Sequence, residues 1–261
     1  MIELIRHAHH GRLRTTIIWG VSVGLTSALM LASFLAFDAE SLRAMSRAIS
    51  PELQKAFGFT ETSMTTPSGY MAGELLNYLP LVVAFYAITA SSHAIAGREQ
   101  DRSLDLIAAQ PVPRWKLPVA TLVATLIGLI EVVALYGVLT WLTGVAAGID
   151  LSAGDVAVSA IGLIPITLLY GALGIALSAV LRRPGSVTGI CGALLVIAYL
   201  ANTIALLVPD LDWLRWITPF FYYGSPIEDG LDLSDQAVLL AGALALLLAS
   251  LPLYARRDLR A

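Results

Sequence analysis

The stretch REQDRSLDLIAAQPVPRWKLP, Arg98 to Pro118, lies between two long apolar runs and is among the most charged segments of the chain. Leu104, Ile107 and Ala108 recur at i, i+3 and i+4, which places them on one face of a helix. Arg98, Glu99, Asp101, Arg102 and Asp105 form the polar remainder. Pro111 disfavours helical geometry at Gln110, so the helix is expected to stop there. Pro113, Trp115 and Lys116 suit a turn at the lipid headgroups, with Trp as an interfacial anchor. Pro118 fits the first turn of a following helix. A plain connector needs neither an apolar face nor a proline boundary, so the stretch reads as a docking element near a membrane surface.

Composition supports the membrane. Of 261 residues, 57% are hydrophobic and 13% charged, with a mean hydropathy of +0.77. Soluble domains carry about 25% charged residues. A core this apolar could not be covered with polar surface, whereas lipid requires no such cover. The net charge of −3 gives no footprint for nucleic acid. A single cysteine, Cys191, excludes an intramolecular disulfide framework and a multi-thiolate metal site.

Six runs reach the length of about 20 residues that a spanning helix needs. They cover about 16–37, 74–95, 117–142, 156–181, 187–208 and 237–254. The expected fold is an all-α integral membrane protein, one membrane domain over residues 1–261, with a short helix between spans two and three. The first run exceeds a signal-peptide core and five more follow, so it reads as an uncleaved helix. Arg6, Arg12, Arg14, Arg98, Arg102, Arg114, Lys116, Arg182, Arg183, Arg256, Arg257 and Arg260 fall on the side of the termini. Only Arg43, Arg47, Lys55 and Arg215 fall on the other, which instead collects acids such as Asp150, Asp210 and Asp232. The positive-inside rule then makes both termini cytoplasmic in a cell membrane.

EQDRSLDLIAAQPVPRW resembles the cytoplasmic segment of ABC-2 type transporter permeases, through Glu99, Ser103, Leu104, Leu106, Ile107, Pro111 and Arg114. Ser103 stands where that pattern usually has Gly. A second stretch, ITPFFYYGSPIEDGLD (Ile217–Asp232), is similar to the segment before the last helix in one branch of the family. The resemblance covers nearly the whole chain. It implies that Glu99, Asp101, Arg102, Leu104, Asp105, Ile107, Pro111 and Arg114 form a coupling helix docked on a separate ATP-binding subunit. It also implies paired permeases, with ATP and Mg bound by the partner. A phosphate-binding loop needs a Gly-Lys pair, and neither Lys55 nor Lys116 follows a glycine. The implied function is a permease exporting an amphipathic or hydrophobic compound by alternating access.

Other residues admit two readings each. Glu131 lies near the middle of the third span, where a carboxylate is costly and marks either a functional site or a protonated or hydrogen-bonded Glu at a helix or dimer interface. Phe220, Phe221, Tyr222 and Tyr223 either line an exit path or form an interfacial aromatic belt. His7, His9 and His10 lack a nearby acid or cysteine to complete a metal site, and the N-terminal segment reads as lying along the headgroups. His93 reads as a helix-end histidine. Leu42, Met45 and Ile49 mark a surface helix, and Ser50 a cap for a second one beginning at Pro51. Gly171, Gly174 and Ser178, and Gly189 with Ala193, read as close helix packing. Rival classes are an intramembrane enzyme and a permease-like immunity or sensor subunit. HExxH and GxSG motifs are absent.

Overall fold

A computed structural model of the chain describes residues 1–50, 53–54, 63–97, 113 and 115–256. In chain order its α-helices are α1 (Ile2–His10), α2 (Leu13–Phe34), α3 (Ala39–Ala48), α4 (Pro67–Met71), α5 (Leu79–Ser92) and α6 (Lys116–Ala147). Then follow α7 (Ala153–Ser178), α8 (Pro184–Leu207), α9 (Pro219–Tyr223), α10 (Pro226–Asp229) and α11 (Leu233–Arg256). Single π-helical turns, Ala72–Leu76 and His93–Gly97, flank α5. Among the described residues, six helices are long and apolar enough to cross a membrane, and each overlaps one of the six runs read from the sequence.

Local chemistry sets the boundaries. Asp38 caps α3 by accepting from Ser41 N at 2.6 Å, and Ser152 caps α7 by accepting from Asp155 N at 2.9 Å. Such caps satisfy amide groups that have no intrahelical partner. Pro67, Pro184, Pro219 and Pro226 open their helices, where the missing N–H costs nothing. Gly148, at φ +66°, ends α6 in a left-handed cap. That cap lies beyond residue 142 because the whole segment up to Ala147 is helix-compatible and only Gly148 stops it.

Successive spans cross in alternating directions. Gly20 and Gly24 of α2 lie on Leu135 and Leu139 of α6, so these two helices run parallel. Tyr136 of α6 bonds Ser159 of α7 at 3.0 Å, and Thr125 meets Gly171, so that pair is antiparallel. Leu169 meets Gly242, and Tyr254 Oη donates to Ile175 O at 2.7 Å, so α7 and α11 are parallel. This threading gathers Gly97, Lys116, Arg182 and Arg256 at one end of the bundle, the basic end, as six crossings require.

Helix α7 is the centre, packed by α5, α6, α8 and α11. Gly171 and Gly174 let α5 approach to where a Cβ would meet Ala87 and Ser91, so the close packing expected there is present. The other small face behaves differently. Nothing lies within 4 Å of where a Gly189 Cβ would be, and Ala193 is exposed. Among the described residues, none packs closely on Gly189. In α3, Leu42 is buried against Met64 and Tyr70 as expected. Met45 is 42% exposed, however, and Ser46 is buried in its place. Residues 42 and 46 share a helix face, and the packing of Leu42 on Met64 and Tyr70 turns that face inward. Ser50 Oγ accepts from Leu53 N at 3.4 Å, as its cap role requires.

Glycines in the α2–α6 seam are predicted to be intolerant. A Cβ on Gly24 would meet the Leu139 side chain and, at 3.2 Å, the Leu135 carbonyl. Gly24→Val is expected to destabilise the folded bundle by about 1–3 kcal/mol through overpacking, read as a lower midpoint for denaturant unfolding in detergent. A midpoint equal to that of the native protein would refute the seam.

Candidate functional site

The eight coupling residues read from the sequence, Glu99, Asp101, Arg102, Leu104, Asp105, Ile107, Pro111 and Arg114, lie outside the described residues. What is described is where the chain leaves and returns. It leaves through the π-turn His93–Gly97 at the end of α5. It returns at Trp115 and Lys116, where Lys116 N donates to Pro113 O at 3.0 Å and closes a turn. Trp115 is exposed, with the Lys116 Nζ 6.0 Å from its ring centroid. Ala94 and Ile95 sit in one apolar cluster with Ile175, Leu247 and Tyr254, against which Val119 and Leu122 pack. The described chain on either side of the segment therefore lies on adjoining helices that are cross-braced by α7 and α11.

Glu131 occupies the middle of α6, but the carboxylate does not face an all-apolar surrounding. Helix α6 has 32 residues, about 48 Å, against a hydrocarbon core of about 30 Å. Thr16, in the first turn of α2, lies 3.5 Å from where a Gly128 Cβ would be. Helix α6 thus begins roughly 13 Å before α2 does, at 1.5 Å per residue. Helical side chains lean toward the N-terminus, which takes the Glu131 carboxylate down to the polar foot of α2. There His9 Nε2 lies 3.1 Å from Glu131 Oε1. Thr16 Oγ1 and Tyr86 Oη lie 2.8 Å apart beside them.

This geometry supplies Glu131 with a hydrogen-bond partner. It also gives the N-terminal histidines a role the sequence did not anticipate. His9 holds α1 against α6, while His10 Nδ1 donates to Arg6 O at 2.9 Å. Among the described residues no group of His, Cys, Asp and Glu is placed to hold a metal ion. No local signal could have joined His9 to Glu131, since the contact spans more than a hundred residues of chain.

The aromatic quartet divides between two faces of its helix. Phe220 and Tyr223 are buried, Phe220 edge-on to Tyr199 at 5.4 Å and Tyr223 Oη donating to Leu76 O at 3.5 Å. Phe221 and Tyr222 turn to the periphery. Phe221 stacks on Trp216 at 4.8 Å and lies under the Arg215 guanidinium at 5.1 Å. Tyr222 Oη donates to Trp216 O at 2.9 Å. Trp213 and Trp216 are exposed on the 3₁₀ turn Pro209–Ile217, as a belt residue is. Beneath this layer lies a cavity of about 300 Å³ that Asn77, Asn202, Arg215 and Glu228 share with Tyr199 and Phe220. The positive φ of Gly224 (+62°) and Gly230 (+79°) lets two one-turn helices fold over it before α11 starts. Asp232, whose carboxyl is held below its usual range by bonds from the Ser234 hydroxyl and amide, caps that start.

Long apolar helices with a charged connector between the second and third are the layout of a transport membrane subunit, and residues 7–259 match the family model described as ABC-2 family transporter protein. The chain belongs to that family. No curated relative matches it. As an ABC-2 permease it is a multi-pass membrane protein and the membrane component of an ABC transporter. Family membership also implies an ATP-binding partner subunit in general terms.

The contact between α1 and α6 can be measured in this permease by a double-mutant cycle on His9→Gln and Glu131→Gln. A hydrogen bond to a charged group is worth about 1.5–3 kcal/mol. The two changes are expected to be non-additive by about 1–2 kcal/mol in unfolding free energy, the lower figures reflecting partial exposure of both side chains. Strict additivity would show that the pair does not interact.

Proposed function

We propose that this permease forms the membrane pathway of an ATP-driven exporter of amphipathic or hydrophobic compounds. The helix expected between residue 98 and Gln110, with Pro111 and Arg114 after it, docks on a separate ATPase. The observation that carries this reading is the anchoring of that segment: it joins the basic ends of α5 and α6, which meet in one apolar cluster. A push on the segment would move two spans together. Leu104, Ile107 and Ala108 fill a groove on the ATPase, while Glu99, Asp101, Arg102, Asp105 and Arg114 pair with charges at its rim. ATP and Mg²⁺ bind to that partner. Closure of two ATPases draws two such segments together and turns the pathway from inward-facing to outward-facing.

Pairing with a second permease is supported by α8, the least enclosed of the six spans. Ile190, Ala193, Leu194 and Ile197 form an open stripe along it. In a bilayer, small and apolar faces of this kind associate by close packing. The Lys and Arg bias supports a cell-membrane location with both termini in the cytoplasm.

The docking role predicts that Leu104→Asp and Ile107→Asp leave the permease inserted but strip the ATPase from it. A carboxylate buried unpaired in a groove costs several kcal/mol, whereas surface changes stay within about ±0.5 kcal/mol. Co-purification of the ATPase and export in cells are the readouts. Native complex and native export in both variants would end the docking reading. The orientation predicts, in a Cys191→Ala background, that cysteines at Ser103 and Pro184 are labelled only from the cytoplasm. Cysteines at Thr60 and Gly230 are labelled only from outside. Labelling of Ser103 and Thr60 from one side would overturn it.

A further inference from the structure

Between α2, α5 and α8 runs a slot of about 830 Å³, open to the outside of the bundle. This volume lies in the range of sites for small ligands, roughly 300–1,000 Å³. Its walls are apolar, with Trp19, Val82, Phe85 and Val196 facing one another. Gly189 and Gly192 form the α8 side. No atom lies within 4 Å of a Cβ built on Gly189, and only Phe85, at 3.9 Å, approaches one on Gly192. The slot exists because two side chains are missing there. Along α5 it extends from Val82 to His93, about 16 Å at the rise of a helix.

The two ends differ. At the basic end the slot meets His93 and Thr188. Thr188 Oγ1 is 3.0 Å from Ser92 Oγ, and His93 Nδ1 is 3.0 Å from Thr89 O. A carbonyl can only accept, so His93 Nδ1 carries a proton, and in the neutral ring Nε2 is left as an acceptor. The site is thus a long apolar cleft with an imidazole and a hydroxyl at one end, the basic end of the bundle.

We propose that this slot binds a single-chain amphiphile whose head group donates a hydrogen bond, an amine or an alcohol, as cargo taken sideways from the cytoplasmic leaflet. The chain lies against Phe85 and Trp19 over the α8 glycines, and the head reaches His93 and Thr188. The proposal deepens the exporter reading and rests on it for direction. Binding itself needs only the permease.

Trp19 provides the test. In full-length permease reconstituted into nanodiscs, Trp115, Trp141, Trp213 and Trp216 are replaced by Phe, leaving Trp19 as the emitter. The probe is a primary alkylamine brominated near its chain end, because bromine quenches tryptophan on contact. The expected result is saturable quenching, weakened at least about tenfold by Gly189→Leu, which fills the slot. His93→Ala is expected to weaken it about fivefold, the loss of one hydrogen bond. The brominated trimethylammonium analogue, which has no N–H, should bind like the amine does to His93→Ala. Leucine is a better helix former than glycine, and circular dichroism verifies the fold. Gly192→Leu serves as a second filling variant should Gly189→Leu fail to fold. Quenching that rises linearly with probe, or that both filling variants leave unchanged, overturns the site. So does a slot closed by a second permease, seen as no saturable quenching together with loss of the dimer in the filling variants. None of these outcomes depends on whether an ATPase co-purifies, which is where the exporter reading stands or falls.

Discussion

A bilayer offers no water to a backbone amide, so every N–H and C=O within it must bond inside the protein. That constraint fixes the helices, and it also removes the usual reason for helices to adhere, since lipid tails are as apolar as leucine. What remains is contact distance and a few polar bonds. The bundle uses both. Gly20 and Gly24 bring α2 onto α6, and Gly171 and Gly174 bring α5 onto α7. Hydroxyl pairs add to this: Ser27–Thr140, at 2.6 Å, ties the α2–α6 seam, and Tyr136–Ser159 ties α6 to α7. Bonds of this kind average about 0.6 kcal/mol in membranes, so each seam depends on several together.

The spans were legible because hydropathy and length follow directly from the thickness of the membrane. Pro184 and Gly148 mark two of the ends through rules that need no tertiary knowledge. The surface helix at Leu42 was legible in type and off by one residue in phase, because apolar spacing alone pointed to Met45 where packing on Met64 and Tyr70 buries the face of Leu42 and Ser46. Glycine pairs showed the opposite weakness. Gly171–Gly174 and Gly189–Ala193 look alike in sequence, yet one pair is packed and the other open. Only the neighbours decide, and these come from distant parts of the chain.

The same holds for the site. Glu131 was conspicuous as a carboxylate within an apolar run, but its partner His9 belongs to a segment whose sequence pointed to lipid headgroups. The 13 Å stagger between α2 and α6 brings them together, and stagger leaves no trace in hydropathy. The quartet from Phe220 to Tyr223 was seen as one unit, whereas a one-turn helix gives its residues to two faces. Phe220 and Tyr223, three apart, turn inward together, as helical spacing dictates. The slot had only a weak signal, the recurrence of glycine at 185, 189 and 192 on one helix face.

Helix α6 is also a mechanical object. It runs for 32 residues from Lys116 to the left-handed cap at Gly148, and its one proline, Pro118, sits in the first turn, where it weakens nothing. Helix α5, by contrast, ends in a π-turn on either side, and α7 carries Pro165 in its interior. A straight rod about 48 Å long cannot absorb a tilt by bending locally. With α2 clamped along its far half and α1 pinned near its midpoint, α6 has a fulcrum at Gly128–Glu131. Were its basic end, packed on α5, α7 and α11, displaced to one side, the opposite end would move to the other, and α2, parallel and glycine-sealed to it, would follow.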